Sequence, residues 1–379
     1  MSDWFDVGDA GDFADGEVAP AMAGGQPVAV FRIGEELFAL KDLCTHGNAR
    51  LSDGYVEDGC VECPLHQGLF DIRSGAARCA PVTEAVRSFP VRVVAGRVEV
   101  GMAAQAQNES APVVRKLHAR IAGITRAAPD VAVLELHCQA EADSGAETFV
   151  YQAGQYVDVL LDDGQRRSYS MATPAAASAG LHTIELHVRH LPGGLFTDRV
   201  FNGMQAGDML QLEGPGGSFY LREGDAPLVL LASGTGFAPI KALVEEAIAN
   251  NISRPMRLYW GGRRQADLYM DVLCREWAAR FPWFEYVPVL SEPDIPAGKH
   301  AQSDQQDEAG TPACAWSGRT GFVHLAVMQD LPDLRRYQVY ACGAPVVVES
   351  ARRDFTARCG LADADFFADA FLSKADGRT

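Results

Sequence analysis

Cys44-Thr45-His46 and Cys63-Pro64-Leu65-His66, with sixteen residues between His46 and Cys63, constrain this chain more than any other part of it. Each half offers one thiol and one imidazole. Each is followed closely by a glycine, Gly47 in the first and Gly68 after Gln67 in the second, where a tight loop can use one. A Cys2His2 set is also the donor set of structural zinc. Zinc fingers of that composition usually group their cysteines together and their histidines together, whereas here each half carries one of each. Two such loops can clasp a [2Fe–2S] centre from opposite sides, Cys44 and Cys63 holding one iron and His46 and His66 the other. Such a centre passes one electron at a time, so the rest of the chain must be searched for the donor.

The two halves resemble the loops of low-potential, ferredoxin-type Rieske domains. High-potential respiratory relatives carry an extra cysteine in each loop, joined as a disulfide, and a serine that bonds a bridging sulfur. This chain has Ala49 or a neighbour and Leu65 at those cysteine positions, and no serine after His66. The resemblance therefore implies few hydrogen bonds to the sulfurs and a potential low in the Rieske range. Cys60 and Cys79 read as ordinary small buried residues.

With 379 residues the chain is long enough for two or three domains. Its 47% hydrophobic and 22% charged content is globular, and no apolar run approaches the length of a membrane span. The start, Met1-Ser2-Asp3-Trp4-Phe5-Asp6, is acidic and lacks a basic leader region, which argues against a signal peptide. Nine scattered cysteines suggest reduced thiols in a cytoplasmic setting. The net charge of −17 argues against nucleic-acid binding. Residues 1–105 hold 16 acidic and 8 basic residues, a net of −8, and the other 274 hold 34 and 25, a net of −9. About half of the excess thus sits on the cluster-bearing segment. It either serves solubility alone or presents an acidic face to a basic docking face on a redox partner.

Residues 28–33, 36–40 and 91–100 are β-rich, broken at Gly34 and Gly96, and a small, polar linker follows. A second β-rich stretch contains expected strands at 131–137, 156–161 and 182–188. Beyond residue 225, strands at 228–232 and 256–260 alternate with helices near 239–249 and 268–280, which implies a parallel sheet. A polar stretch over 292–313 reads as an exposed loop. The expected division is 1–104, a linker at 105–112, then 113–224 and 225–379.

Arg167-Ser168-Tyr169-Ser170 follows a strand and precedes Met171-Ala172-Thr173-Pro174. On this segment the middle and end of the chain resemble the ferredoxin–NADP reductase superfamily, specifically the reductases of bacterial oxygenases. The resemblance implies that Arg167 binds the FAD diphosphate, Tyr169 stacks on the isoalloxazine and Ser170 bonds near flavin N5, with Ser168 in the same cofactor-binding strand. The residue types suit these roles: a fixed guanidinium fork, a flat ring and a small donor. Gly193-Gly194-Leu195-Phe196-Thr197 resembles the family's second phosphate loop, where Gly193, Gly194 and the Thr197 hydroxyl would meet the diphosphate at a helix start. Gly154-Gln155-Tyr156 and Gly214-Pro215-Gly216-Gly217-Ser218-Phe219 resemble landmarks of its barrel.

Gly234-Thr235-Gly236-Phe237-Ala238-Pro239 resembles the same family's nucleotide turn. Gly234 and Gly236 would admit the pyrophosphate, with Thr235 between them, and Pro239 would pre-set the first helical turn. Tyr259-Trp260-Gly261-Gly262-Arg263 and Asp267-Leu268-Tyr269 resemble the segment beside the adenosine ribose, with Arg263 compatible with NADH or a 2′-phosphate; NADH is favoured. Cys342-Gly343-Ala344-Pro345 resembles the motif whose cysteine lies near the nicotinamide, and Asp369-Ala370-Phe371 the ending that lies by the flavin.

The large subunits of ring-hydroxylating oxygenases also begin with a Rieske domain and add an Asp-x-x-His-x-x-x-x-His iron site. His182 and His187 have that mutual spacing, but Ala179 stands where the acid should be. The intervening residues read as strand, which sends residues five apart to opposite faces. His118, His137, His300 and His324 read as surface or strand residues, and His190 lies near the phosphate loop. The expected architecture is an all-β Rieske domain, an antiparallel FAD-binding β-barrel and an α/β parallel-sheet NAD-binding domain. The expected function is electron transfer from NADH through FAD and the cluster to a separate terminal oxygenase, with an aromatic-ring-hydroxylating dioxygenase as the expected acceptor. A cytochrome P450 or di-iron monooxygenase is the alternative acceptor, and a redox-sensing module a third reading.

Overall fold

The computed structural model of the protein describes residues 2–45, 49–64, 67–79, 82, 85–103, 115–140, 149–161, 164–175, 182–293 and 316–371. His46, His66, His300, the expected linker and most of the polar stretch after residue 292 lie outside the described residues.

The first third builds three small antiparallel sheets. Strand Gln26–Ile33 is buried on both faces, with Val28, Ala29, Val30 and Phe31 all fully covered. Because side chains alternate along a strand, Val28 and Val30 join one core with Val98 and Val100, while Ala29 and Phe31 join another with Cys44, Val61, Cys63 and Phe70. The β-rich run over 91–100, broken at Gly96, is a hairpin, Val91–Val94 and Arg97–Ala103. Its turn residues Ala95 and Gly96 both take positive φ, 50° and 83°, the geometry that matches the twist of paired strands.

The middle part is a six-stranded antiparallel sheet, in the order Arg166–Ser170, Tyr156–Leu160, Met209–Gly216, Arg115–Ala128, Val131–Ala140, His182–Arg189. A bridge between Met171 and Leu186 joins its two outer strands and closes a barrel, which removes the sheet edges. Leu117, Ile121, Leu134, Leu136, Val157 and Leu186 are among the fully covered residues filling it.

The last part is a six-stranded sheet, parallel throughout, in the order Arg319–Thr320, Phe284–Leu290, Met256–Gly262, Leu228–Ser233, Gln338–Gly343, Phe366–Ala370. Helices Phe237–Ala249 and Asp271–Arg280 bury one face, and Val323–Asp330 and Pro345–Cys359 the other. Leu228–Ser233, first in the chain, is flanked by strands that come later on both sides. The chain therefore reverses direction across the sheet at this strand, and the crevice beyond the strand ends there is where such sheets take ligands. His324, expected at the surface or on a strand, is instead a buried helical residue beside Asp354.

Candidate functional site

Cys44 and Cys63 open loops closed by the same bond. The Cys44 N–H donates to the carbonyl of Ala49 at 2.9 Å, and the Cys63 N–H to that of Gly68 at 2.9 Å. Both side chains are buried, 4% and 1% exposed, in one core. A Cβ on Gly68 would sit 2.5 Å from Val82, so the second loop needs its glycine. The buried Asp42 carboxylate accepts both the N–H and the hydroxyl of Ser52, at 2.7 and 2.8 Å, and so anchors the first loop from behind. Two matched loops with a buried cysteine at each base fit a [2Fe–2S] centre gripped from two sides. The expectation for Cys60 and Cys79 fails. Val61 takes the inward position of its strand, which leaves Cys60 half-buried, and Cys79 is exposed with Sγ 3.8 Å from the Gln67 carbonyl.

Strand Arg166–Ser170 divides its side chains between two faces. Tyr169 pairs with Val157 and Arg167 with Val159, and the Tyr169 ring lies 5.3 Å from that of Phe196. Arg167 donates to the Arg166 carbonyl and to Gln165 Oε1, both at 2.7 Å. On the opposite face, the Ser168 hydroxyl donates to Asp158 at 2.6 Å, and Ser170 stands beside Tyr156. Ser170 Oγ donates to Asp369 Oδ2 at 3.1 Å. Burial raises the Asp369 carboxyl to about 6, against which the Ser170 bond pulls down.

Gly193, Gly194 and Thr197 do lie at the start of a helix, Leu195–Asn202. The Thr197 hydroxyl donates to the Leu191 carbonyl at 2.9 Å, and the Gly193 N–H to the Asp198 carboxylate at 3.0 Å. These groups thus close the loop on itself. A Cβ on Gly194 would lie 2.6 Å from Thr197 Oγ1. His190 bonds Asp198 at 2.8 Å and stacks on Phe201.

At the reversal point of the parallel sheet, the turn Gly234–Gly236 runs into helix Phe237–Ala249, with Pro239 in its first turn. Gly234 has φ 55°, and Trp260, stacked on Phe237 at 3.9 Å, donates to its carbonyl at 3.1 Å. Gly236 is glycine for a packing reason: its Cβ would fall 2.2 Å from the Cys342 carbonyl oxygen. Gly343, at φ 133°, would likewise meet the Ser233 carbonyl at 2.4 Å. Cys342 is fully buried and pairs with Asp369 across the sheet. Burial pushes its thiol well up, and the Asp369 carboxylate adds to this. The Phe371 N–H donates to Gly343 at 2.9 Å. Thr235 is half-buried, and Arg263 is exposed at the carboxyl end of its strand. Tyr259 is a core residue, bonded to Asp330, and so is not available to a ligand.

Two residues missed in the sequence, and one weighed there only as an iron ligand, stand out. Arg189 points at Gly234, its Nη1 3.0 Å from where a Cβ would be; its Nε lies 3.3 Å from the Asp130 carboxylate as an ion pair, and its Nη2 is buried without a hydrogen-bond partner. That is a cationic cradle fit for a diphosphate. Lys241 is buried, donating to the Ala172 carbonyl and Glu245 at 3.0 and 2.9 Å and lying 3.3 Å from Glu185. It ties the barrel to the parallel sheet. His187, on strand His182–Arg189, bonds Glu185 and Tyr269, each at 2.7 Å, so it belongs to this network and not to an iron site. Burial holds its imidazole below the usual value.

Family models match three successive segments of the chain. The Rieske [2Fe-2S] domain matches residues 3–90, an oxidoreductase FAD-binding domain 118–220 and an oxidoreductase NAD-binding domain 230–353. The anthranilate 1,2-dioxygenase ferredoxin subunit of Burkholderia cepacia is 61% identical over 102 residues, 27% of this chain and 94% of that one. The Amycolatopsis cytochrome P450 reductase GcoB, a solved structure, is 32% identical with a TM-score of 0.60, over 73% of this chain and 75% of that one. The chain is a ferredoxin-reductase-type oxidoreductase led by a Rieske domain. A CDP-6-deoxy-L-threo-D-glycero-4-hexulose-3-dehydrase reductase of Yersinia pestis is 41% identical to this reductase over 243 residues, 64% of this chain. The reductase spans 65% of the length of that relative.

The two cofactor regions adjoin in space. The Ser218 hydroxyl, on the barrel, donates to the carbonyl of Thr45, inside the first cluster loop, at 3.5 Å. No described helix is long and apolar enough to cross a membrane.

Proposed function

We propose that this reductase carries electrons from NADH through FAD to its Rieske [2Fe–2S] centre and on to a separate terminal oxygenase, an aromatic-ring-hydroxylating dioxygenase. The observation that carries the reading is the Ser218–Thr45 contact, which seats a cluster loop on the flavin barrel. A flavin there and a cluster there are within one chain's reach of each other. The dioxygenase as acceptor rests on the likeness of the Rieske domain to a dioxygenase ferredoxin subunit. The likeness to GcoB favours a cytochrome P450 as the second candidate.

When bound, FAD accepts a hydride's two electrons and releases them singly to the one-electron cluster. Arg167 and the loop holding Gly193, Gly194 and Thr197 hold its diphosphate, Tyr169 lies against its ring, and Ser170 bonds at N5 with Asp369 behind it. Binding frees the Gly193 N–H from Asp198. Gly234, Thr235, Gly236 and Pro239, with the guanidinium of Arg189, would take the nicotinamide dinucleotide. Arg263, at the exposed strand end, lies by its ribose. Cys342 and Gly343 would position the nicotinamide, and Phe371 would lie by the flavin ring. Cys44, His46, Cys63 and His66 hold the cluster. The setting is cytoplasmic, and the oxygenase would offer a basic docking face to the acidic Rieske domain.

Anaerobic titration with NADH, followed by visible absorbance and EPR, tests the route. Flavin bleaching together with a Rieske-type EPR signal is expected. Bleaching without that signal would sink the route through the cluster.

A further inference from the structure

Tyr156 carries a polar atom that the chain leaves without a partner. Its side chain is 6% exposed, and the hydroxyl is buried with no hydrogen bond. The ring is clamped by bare backbone. A Cβ on Gly216 would lie 2.7 Å from ring carbons and 2.9 Å from the hydroxyl, and one on Gly217 3.0 Å from the ring. The Gln155 side chain fixes that backbone by donating to the Gly217 carbonyl at 2.8 Å. The hydroxyl therefore cannot swing out to water. An unpaired buried hydroxyl is destabilising, so a partner outside the protein's own atoms is the natural explanation.

The surroundings identify that partner. Burial first, then the charges of Asp158 and Asp369, and after them those of Cys44 and Cys63, act on the Tyr156 hydroxyl, so both cluster cysteines are among its neighbours. The backbone that clamps the ring continues into Ser218, whose hydroxyl meets Thr45 between Cys44 and His46. The orphaned donor thus sits where the barrel and the cluster loops meet.

We propose that the Tyr156 hydroxyl, supplied by the flavin barrel, donates a hydrogen bond to a sulfur of the Rieske centre when the Rieske domain is seated on the barrel. The inference rests on the cluster reading given under Proposed function. A donor to sulfur stabilises the reduced, more negative centre and raises its potential. The Rieske loops have no serine after His66 to do this themselves. The flavin domain lends the donor in the pose in which the cluster receives an electron. Leaving the barrel withdraws it and makes the cluster a stronger reductant for its partner.

The test is an EPR-monitored redox titration of the full chain with both cofactors, as wild type, Tyr156→Phe, Ser218→Leu and the double variant. Tyr156→Phe keeps the ring, and is expected to lower the cluster's reduction equilibrium constant about tenfold, equal to about 59 mV for one electron. It is also expected to abolish one exchangeable-proton coupling in pulsed EPR, at unchanged flavin content. Ser218→Leu, a bulky side chain that unseats the loop without adding charge, lowers the potential of the wild type but adds nothing to Tyr156→Phe. A Tyr156→Phe protein with a normal Rieske signal and an unaltered potential and coupling overturns the proposal and leaves the electron-transfer reading intact. So does a Ser218→Leu shift that persists in full beside Tyr156→Phe, while a wild type without any Rieske signal overturns the reading itself.

Discussion

Ser170 and Asp369 meet across the junction of the barrel and the parallel sheet, Ser170 Oγ donating to Asp369 Oδ2 at 3.1 Å although 199 residues separate them. Asp369 in turn pairs with Cys342 on the neighbouring strand. A hydroxyl, a carboxyl and a thiol from three strands thus converge beside the switch point of the sheet. Asp369→Asn and Ser170→Ala are each expected to slow flavin reduction by NADH about 100-fold, the scale on which a positioned acid or base acts. Stopped-flow absorbance at fixed flavin content measures this, and an unchanged rate would remove the pair from the chemistry.

The same carboxyl makes stability depend on pH. Its folded value is raised from 3.8 to about 6 by burial. A raised acid favours the folded state at low pH, and this contribution is lost as pH rises from about 4 through about 6. Two units correspond to about 3 kcal/mol. Asp369→Asn cannot ionise, so its melting temperature should gain on that of the wild type between pH 4.5 and pH 7. A constant difference across that window would show that Asp369 titrates normally.

Arg189→Ala separates binding from folding. Its Nη2 is buried without a hydrogen-bond partner and its Nε makes only an ion pair with the partly exposed Asp130, so removing them costs the fold little. The variant should melt within a few degrees of the wild type. Its KM for NADH should rise at least about tenfold, the worth of one charge-assisted bond to a phosphate. Steady-state kinetics with an artificial acceptor measures the rise, and an unchanged KM would show that the guanidinium faces something else.

Lys241→Met should destabilise the domain junction by about 3 kcal/mol, because it leaves Glu185 and Glu245 facing each other without their cation. Burial already raises the Glu245 carboxyl. For Glu185, burial pushes up, but His187 and Lys241 outweigh it and hold the carboxyl below its usual value. Adding Glu185→Gln and Glu245→Gln should restore much of the loss. Urea unfolding of the single and triple variants checks this, and a single variant as stable as the wild type would make the network dispensable.

Gly236→Ala should disrupt the sheet end, since the new methyl would meet the Cys342 backbone at 2.2 Å and backbone cannot move aside cheaply. A melting temperature lowered by several degrees in the absence of nucleotide is expected. Normal melting with weakened NADH binding would instead make this glycine a purely nucleotide-facing residue.

Much of this was legible in the chain itself. Period-two runs such as 131–137 and the alternation of strands with helices after residue 225 follow from local burial patterns, and Gly, Pro and Cys motifs mark the turns where cofactors bind. The break at Gly96 was legible too, but the positive φ of Ala95 beside it was not. Nor were the exposure of Cys79 and the burial of His324, which depend on which face a neighbour takes.

The sequence alone determined the order of three modules and the identity of their motifs, since spacing, turn chemistry and side-chain period are local properties. Only the tertiary structure decided that Arg189 would face Gly234, that Lys241 would bind two acids, and that Tyr156 would be buried unpaired beside the cluster loops. Each is a meeting of residues from different sheets. Such meetings are set by how whole sheets pack and cover one another, which no local pattern encodes.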